Sequence, residues 1–402
     1  MAPNLFQDPR FGCREPAGND CSGTTGGAAA GVRKYKEAIR QLLDMGGIGI
    51  NGSAPHDIRV CNEKFYERVL KEGSLGLGES YMDGWWECEC LGDFFARLVP
   101  IRPEEILRNN LKLLLFALKS VILNPGRRSQ SFRIGERHYD LGNDLYRAML
   151  DRRMVYSCAY WEGAATLDEA QERKLDLICR KLGLKPGRKV LDIGCGWGSF
   201  ARYAAEKYGA HVVGVTVSKE QAALGSEMCR GLPVELRLQD YRDIDEEFDH
   251  VVSVGMFEHV GCRNYRLFME VVHRCLKPDG LFLLHTIGNG ISQRSGDIWV
   301  NKYIFPNSMI PSVSQISGAA EGLFVMEDLH NFGSHYEATL NAWFDNFEKS
   351  RDHLKERYDE RFCRMWEYYL KLFTGVFRSR YLHVWQIVFA RNGVPGGYLS
   401  VR

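Results

Sequence analysis

The chain has no uninterrupted apolar run near the ~20 residues that a helix needs to cross a bilayer. The longest candidate, Leu111–Leu123, is too short and carries Lys112 and Lys119, so no membrane span is expected. An excess of charge of one sign is missing too. The 52 Lys and Arg face 51 Asp and Glu, a net of +1, which argues against a protein that coats nucleic acid. Cysteine is sparse for a disulfide scaffold, at 12 in 402 residues, and no secretory segment is evident ahead of it. Reduced thiols and a cytoplasmic location are therefore expected. A metal site is not: Cys88-Glu-Cys90 has one residue between its thiols and no matching His or Cys pair.

The length allows two domains with sizeable cores. Residues 1–31 are rich in Gly, Ala, Asn and Pro and read as a disordered tail. Residues 32–125 read as a smaller, mainly helical N-terminal domain, and 126–402 as a larger one, with the break in Asn124–Ser131 where turn residues and charges interrupt the pattern. Within the first, Tyr81, Trp85, Trp86, Phe94 and Phe95 read as core before they read as the lining of an acyl channel. Arg102, Arg108, Arg127, Arg128, Arg133 and Arg137 surround Leu111–Leu123 with few acids between them. Such a segment can lie on an anionic bilayer, each basic side chain contributing about 1 kcal/mol, or it can be a core helix with a solvated rim.

The most informative stretch is Val190-Leu-Asp-Ile-Gly-Cys-Gly-Trp-Gly198. A buried strand stops, Gly194, Gly196 and Gly198 remove the Cβ atoms that would block a ligand, and Ser199 begins a helix. Asp192 decides between ligands. A carboxylate ahead of the loop repels a pyrophosphate and suits an ammonium or sulfonium, which favours S-adenosylmethionine. Further strands are read at His211–Val217, Phe248–Gly255 and Gly280–Thr286, with crossover helices at Lys219–Cys229 and Tyr265–Leu276. Strand, helix, strand in alternation implies a doubly wound, mostly parallel α/β sheet. Ligands bind at the carboxyl ends of such strands, which puts Thr216, Asp240, Tyr241, Glu258, His285 and Ile287 on one rim.

Polar groups also gather in apolar surroundings at His138–Tyr146, Tyr156-Ser-Cys-Ala-Tyr-Trp161, Phe257-Glu-His-Val260 and His335-Tyr-Glu337. Each has a plain structural alternative: Glu258 as a helix cap, His259 as a surface histidine, Cys158 as a small core residue.

These motifs carry a family resemblance. From about Ile48 to Tyr381 the chain resembles the cyclopropane-fatty-acyl-phospholipid synthases, through Asn51-Gly-Ser-Ala-Pro, Gly76–Trp86, His138-Tyr-Asp, Tyr156–Trp161, the glycine loop, Gly214–Gln221, Gln239-Asp-Tyr-Arg242, Phe257-Glu-His259 and His335-Tyr336. The resemblance implies a class I methyltransferase (Rossmann-like) domain behind a lipid-binding N-terminal domain. It implies transfer of a methyl from S-adenosylmethionine to a cis double bond in the acyl chain of an unsaturated phospholipid, then proton loss and ring closure. A bound bicarbonate serves as the base, at positions that match Cys158, Glu258, His285, the backbone of Ile287 and Tyr336, with Tyr156 and Glu327 as further matches.

For the cofactor it points to Gly194 and Gly196 at the methionine moiety, Thr216 and Gln221 at the ribose, Asp240 and Tyr241 at the adenine, and Tyr156 with Ser157 as a lid. The second strand lacks the acid that commonly holds both ribose hydroxyls, and Gln221 stands in its place. A homodimer on the inner face of the cell membrane, bound peripherally to anionic lipid, is also implied. Two rivals remain at this stage: a lipid C-methyltransferase that makes branched or methylene chains, and a lipid-binding homologue without catalysis.

Overall fold

A computed structural model describes residues 29–102 and 142–402. The basic arm around Leu111–Leu123, the break at Asn124–Ser131 and the start of the His138–Tyr146 motif lie outside the described residues, as do residues 1–28. Of the tail expected over 1–31, residues 29–31 belong to a helix, Ala29–Asp44.

The chain divides into two compact units. One joins the described N-terminal residues to Asp297–Pro306 and Trp343–Tyr381; the other comprises Gly142–Gly296, Asn307–Ala342 and Leu382–Arg402. The units therefore differ from the consecutive 32–125 and 126–402 read from sequence. Aromatic packing within the first unit explains the difference. Gly78, in the helix Ser74–Met82, leaves room for the Trp299 indole, which a Cβ there would meet at 2.4 Å. Tyr368, on the helix Glu360–Arg378, lies 4.5 Å from Trp299, 5.0 Å from Phe95 and 5.6 Å from Tyr81, ring centre to ring centre. Tyr81, Trp86, Phe94 and Phe95 are all buried, which agrees with the core reading, while Trp85 is half-buried under the Arg68 guanidinium. Strands β1 (Ile58–Val60) and β2 (Trp86–Cys88) pair antiparallel in this unit.

The second unit is built on a seven-stranded sheet. Strands β3 (Lys189–Ile193), β4 (His211–Thr216), β5 (Val234–Leu238), β6 (Phe248–Val254), β7 (Leu276–Asn289), β8 (Val325–Asn331) and β9 (Leu382–Ala390) lie in the order β5-β4-β3-β6-β7-β9-β8. The first five are parallel, and β9 runs antiparallel between β7 and β8. The chain leaves β3 toward β4 and β5, then returns to the other side of β3 as β6. That reversal opens a crevice at the carboxyl ends of β3 and β6.

Helices cover both faces of the sheet. Tyr265–Cys275 buries Phe268, Met269, Val271 and Val272 in the core beneath β6 and β7. Leu167–Lys181 and Ser199–Tyr208 bury Leu175, Ile178, Phe200 and Ala204 in the core on the other side. Thr166 starts the former helix by accepting the Glu169 amide at 3.2 Å, a side-chain cap typically worth ~1 kcal/mol.

Candidate active site

The glycine loop sits at the reversal. Gly194 and Gly196 both have positive φ, 80° and 56°. Gly194 needs it for packing, since a Cβ would strike the Met256 side chain at 2.5 Å. Gly196 faces open space, with nothing within 4 Å of an added Cβ, and so leaves backbone free for a ligand. Asp192 ends β3 beside it, 2% exposed, and burial pushes its carboxyl up to about 7 against the pull of Lys174. Next along the rim, the Thr216 hydroxyl donates to Gln221 Oε1 at 2.9 Å. The polar pair expected at the ribose is thus assembled at the end of β4. The Asp240 carboxylate is held by Arg242 at 2.6 Å, and Tyr241 packs its ring 5.4 Å from Phe268. On the other side, Tyr156 meets Tyr146 at 5.2 Å, and Tyr146 meets Trp197 of the glycine loop at 5.0 Å, ring centre to ring centre.

A second cluster lies at the ends of β6 and β7. Glu258 sits in the 3-10 turn Phe257–His259, fixed by the Met309 amide on its main-chain carbonyl at 2.8 Å and by Phe257 stacked on Tyr265 at 4.3 Å. Its Oε1 accepts the Ile287 amide at 2.6 Å, while its buried Oε2 has no hydrogen-bond partner among the described residues. Burial pushes this carboxyl up to about 6, opposed by the Ile287 amide, its own amide and the Thr286 hydroxyl. The Ile287 amide, expected to face a bicarbonate, is therefore spent on Glu258. His285, two residues back on β7, is buried, and burial keeps it neutral, with Lys174 and Lys181 adding to the effect. Its Nδ1 lies 3.4 Å from Gln386 Nε2 on β9.

Cys158 and Tyr336 belong to two segments joined by one latch. The helix His335–Lys349 holds the Tyr156–Trp161 segment at three points. Thr339 Oγ1 accepts the Ala159 amide at 3.1 Å and Trp161 Nε1 at 2.9 Å, and His335 Nδ1 accepts the Trp161 amide at 2.9 Å. Tyr336, in the first turn, is buried, and so is Cys158, whose thiol burial pushes far up. Phe332 bridges onward, its ring 5.5 Å from Tyr160 and 5.7 Å from His285. Glu327, on β8, accepts the Val394 amide at 2.6 Å. Sequence reading did not single out Lys174, Gln171, Thr339 or Gln386. The signal for Lys174 was its place on an apolar helix face, four residues after Ala170 and four before Ile178.

The strand order, the glycine loop at the reversal and the acid ahead of it are those of a class I methyltransferase. Solved relatives agree. The cyclopropane synthase MmaA2 from Mycobacterium tuberculosis superposes with a TM-score of 0.58 at 33% identity, over 63% of this chain and 95% of that one. The mycolic acid cyclopropane synthase CmaA1, complexed with S-adenosylhomocysteine (SAH) and CTAB, gives 0.57 at 34%, over 63% and 95%. In sequence, the cyclopropane-fatty-acyl-phospholipid synthase of Escherichia coli (strain K12) is 53% identical over 90% of this chain and 94% of its own length. A tuberculostearic acid methyltransferase of Mycobacterium tuberculosis is 35% identical over 82% and 81%. The chain belongs to the mycolic acid cyclopropane synthetase family, whose model matches residues 127–387, and is an S-adenosylmethionine-dependent methyltransferase.

Proposed function

We propose that the protein cyclopropanates a cis double bond in the acyl chain of a membrane phospholipid, using S-adenosylmethionine and a bicarbonate base. The observation that carries the reading is the buried Oε2 of Glu258, which has no hydrogen-bond partner among the described residues, while Oε1 is tied to the amide of Ile287, two residues along β7 from the buried His285. A buried acceptor without a donor fits a ligand that bears a hydroxyl, as bicarbonate does. Glu258 would accept that hydroxyl, and His285 and Tyr336 would donate to the other oxygens. Bicarbonate supplies an oxygen base that does not itself trap a carbocation.

An alkene is a poor nucleophile, so the site contributes alignment and charge complementarity. The π electrons form the new bond to the methyl carbon as its bond to sulfur breaks; the resulting cation then loses a proton from that methyl, and the C–H electrons close the ring. Asp192, Gly194 and Gly196 would hold the methionine end, Thr216 and Gln221 the ribose, Asp240 and Tyr241 the adenine, with Tyr156 and Ser157 excluding water. A cavity of about 550 Å³ beyond the end of β7, lined by Ile291, Val313, Trp385, Ser292, Ser312 and His383, is assigned in this reading to part of the lipid. Peripheral binding to anionic lipid on the cytoplasmic side, as a homodimer, completes the proposal; its support is the basic arm in the sequence.

A second reading has its own support in the tuberculostearic acid methyltransferase relative. The same first step followed by hydride shift would give a methylene chain on proton loss, or a branched chain where an external reductant delivers a hydride to the cation. Unsaturated anionic phospholipid vesicles treated with protein and methyl-labelled S-adenosylmethionine separate the two by mass spectrometry of the fatty acids. A labelled ring is the expected product; a labelled methylene chain, or a labelled branched chain when a reductant is supplied, would favour the second reading, and no label with cofactor bound would point to a non-catalytic homologue.

A further inference from the structure

Lys174 lies on the helix Leu167–Lys181 with none of its side chain exposed. A buried ammonium is costly unless charge and hydrogen bonds compensate it. Its Nζ donates to Ser157 Oγ at 2.8 Å. One turn earlier, Gln171 Nε2 donates to the Ser157 carbonyl at 2.9 Å, so two side chains of one helix grip the same lid residue. Two buried carboxylates complete the neighbourhood. Asp151 accepts the amides of Arg153 at 2.9 Å and Val155 at 2.8 Å, and Asp192 ends β3 at the glycine loop. Lys174 interacts electrostatically with both, and also with Cys158 and His285; Asp192 faces the thiols of Cys195 and Cys229 as well. Two carboxylates thus share one ammonium. A ligand bearing a sulfonium and an ammonium would add positive charge beside these two carboxyls.

We propose that Lys174 is a positioning residue of the cofactor cleft, tying the Ser157 segment to the end of β3 and supplying the counter-charge that lets Asp192 face a cationic ligand as a carboxylate. The proposal rests on S-adenosylmethionine as the ligand, and not on the lipid product or the base. Its sign is definite. Lys174 holds the Asp192 carboxyl down against burial; without it that carboxyl rises further and keeps its proton at neutral pH. A cationic ligand must then displace the proton, and the loss disappears as pH climbs through the new value. In the parent protein the Lys174 ammonium, lowered by burial to about 8, itself discharges at higher pH, so the two proteins converge there.

The test is calorimetric binding of S-adenosylmethionine to the full chain and to Lys174→Met between pH 6.5 and 9. Taking the ratio of the two dissociation constants cancels the ligand's own titration. The ratio is expected at roughly tenfold near pH 6.5, as one pKa unit corresponds to tenfold, and close to one at pH 9. A ratio that is constant with pH, at any value, overturns the proposal, because lost packing alone does not titrate. Should Lys174→Met fail to fold, the parent protein still decides. At pH 6.5, binding heats in buffers of different ionisation enthalpy are expected to show net proton release, and none would overturn it. Absence of binding to the parent at every pH refutes the cofactor reading itself, which a pH-independent ratio does not.

Discussion

Replacing Glu258 by Gln isolates the charge and the second oxygen of one side chain. The amide keeps a carbonyl oxygen to accept from Ile287, which Glu258 does at 2.6 Å, and it keeps the volume, so the turn Phe257–His259 should hold. What changes is the partnerless Oε2, which becomes an NH2 donor. A ligand hydroxyl that donated to the carboxylate would meet a donor instead. A hydrogen bond to a charged group contributes about 1.5–3 kcal/mol, or roughly 10- to 150-fold in rate. Loss of base positioning adds to this, so turnover should fall by a factor on the order of 10² or more. The assay is the initial rate of labelled methyl transfer from S-adenosylmethionine to phospholipid acyl chains, with cofactor affinity measured in parallel. Affinity should stay within about twofold, because in the proposed reaction Glu258 serves the base and not the cofactor. A rate equal to the parent's, or an affinity loss as large as the rate loss, would refute the reasoning.

Three further outcomes follow from particular contacts. If Glu258 acts as a carboxylate, as proposed, its rise on burial to about 6 means that turnover should hold above that pH and fall tenfold per unit below it; an acid limb near the ordinary carboxylate value would contradict this. Gly78→Ala places a Cβ 2.4 Å from the Trp299 indole and should destabilise the protein by about 1–3 kcal/mol in urea unfolding, and no shift of the midpoint would count against that packing. Binding to anionic vesicles should weaken as salt rises if the basic residues around Leu111–Leu123 carry it, whereas salt-independent binding would assign it to apolar contact.

Much of the second unit was legible because its signals are local. Strands β3, β4, β6 and β7 are apolar runs bounded by turn residues, and Asp192 with its glycines marks the reversal without any partner in view. Strand β5 was missed: Val234-Glu-Leu-Arg-Leu is an edge strand with half-buried and exposed side chains, too short and too charged to stand out. Strand β9 was missed for another reason. Its place between β7 and β8 depends on pairing across about a hundred residues, such as His285 with Gln386. The same blindness to long-range contact hid the grouping of Trp299 and Tyr368 with the N-terminal aromatics. At the site, residue types suggested Glu258, His285 and Tyr336, but not that the Ile287 amide would be taken up by Glu258, which is a matter of angstroms.

The most direct test of the anion pocket is the initial rate in buffer freed of carbon dioxide under inert gas, followed by return of bicarbonate at constant pH and ionic strength. The account predicts that methyl transfer and ring formation fall on depletion and recover saturably on return, with no such recovery in Glu258→Gln. A parent enzyme indifferent to bicarbonate would contradict it, and the partnerless oxygen of Glu258 would then need another occupant.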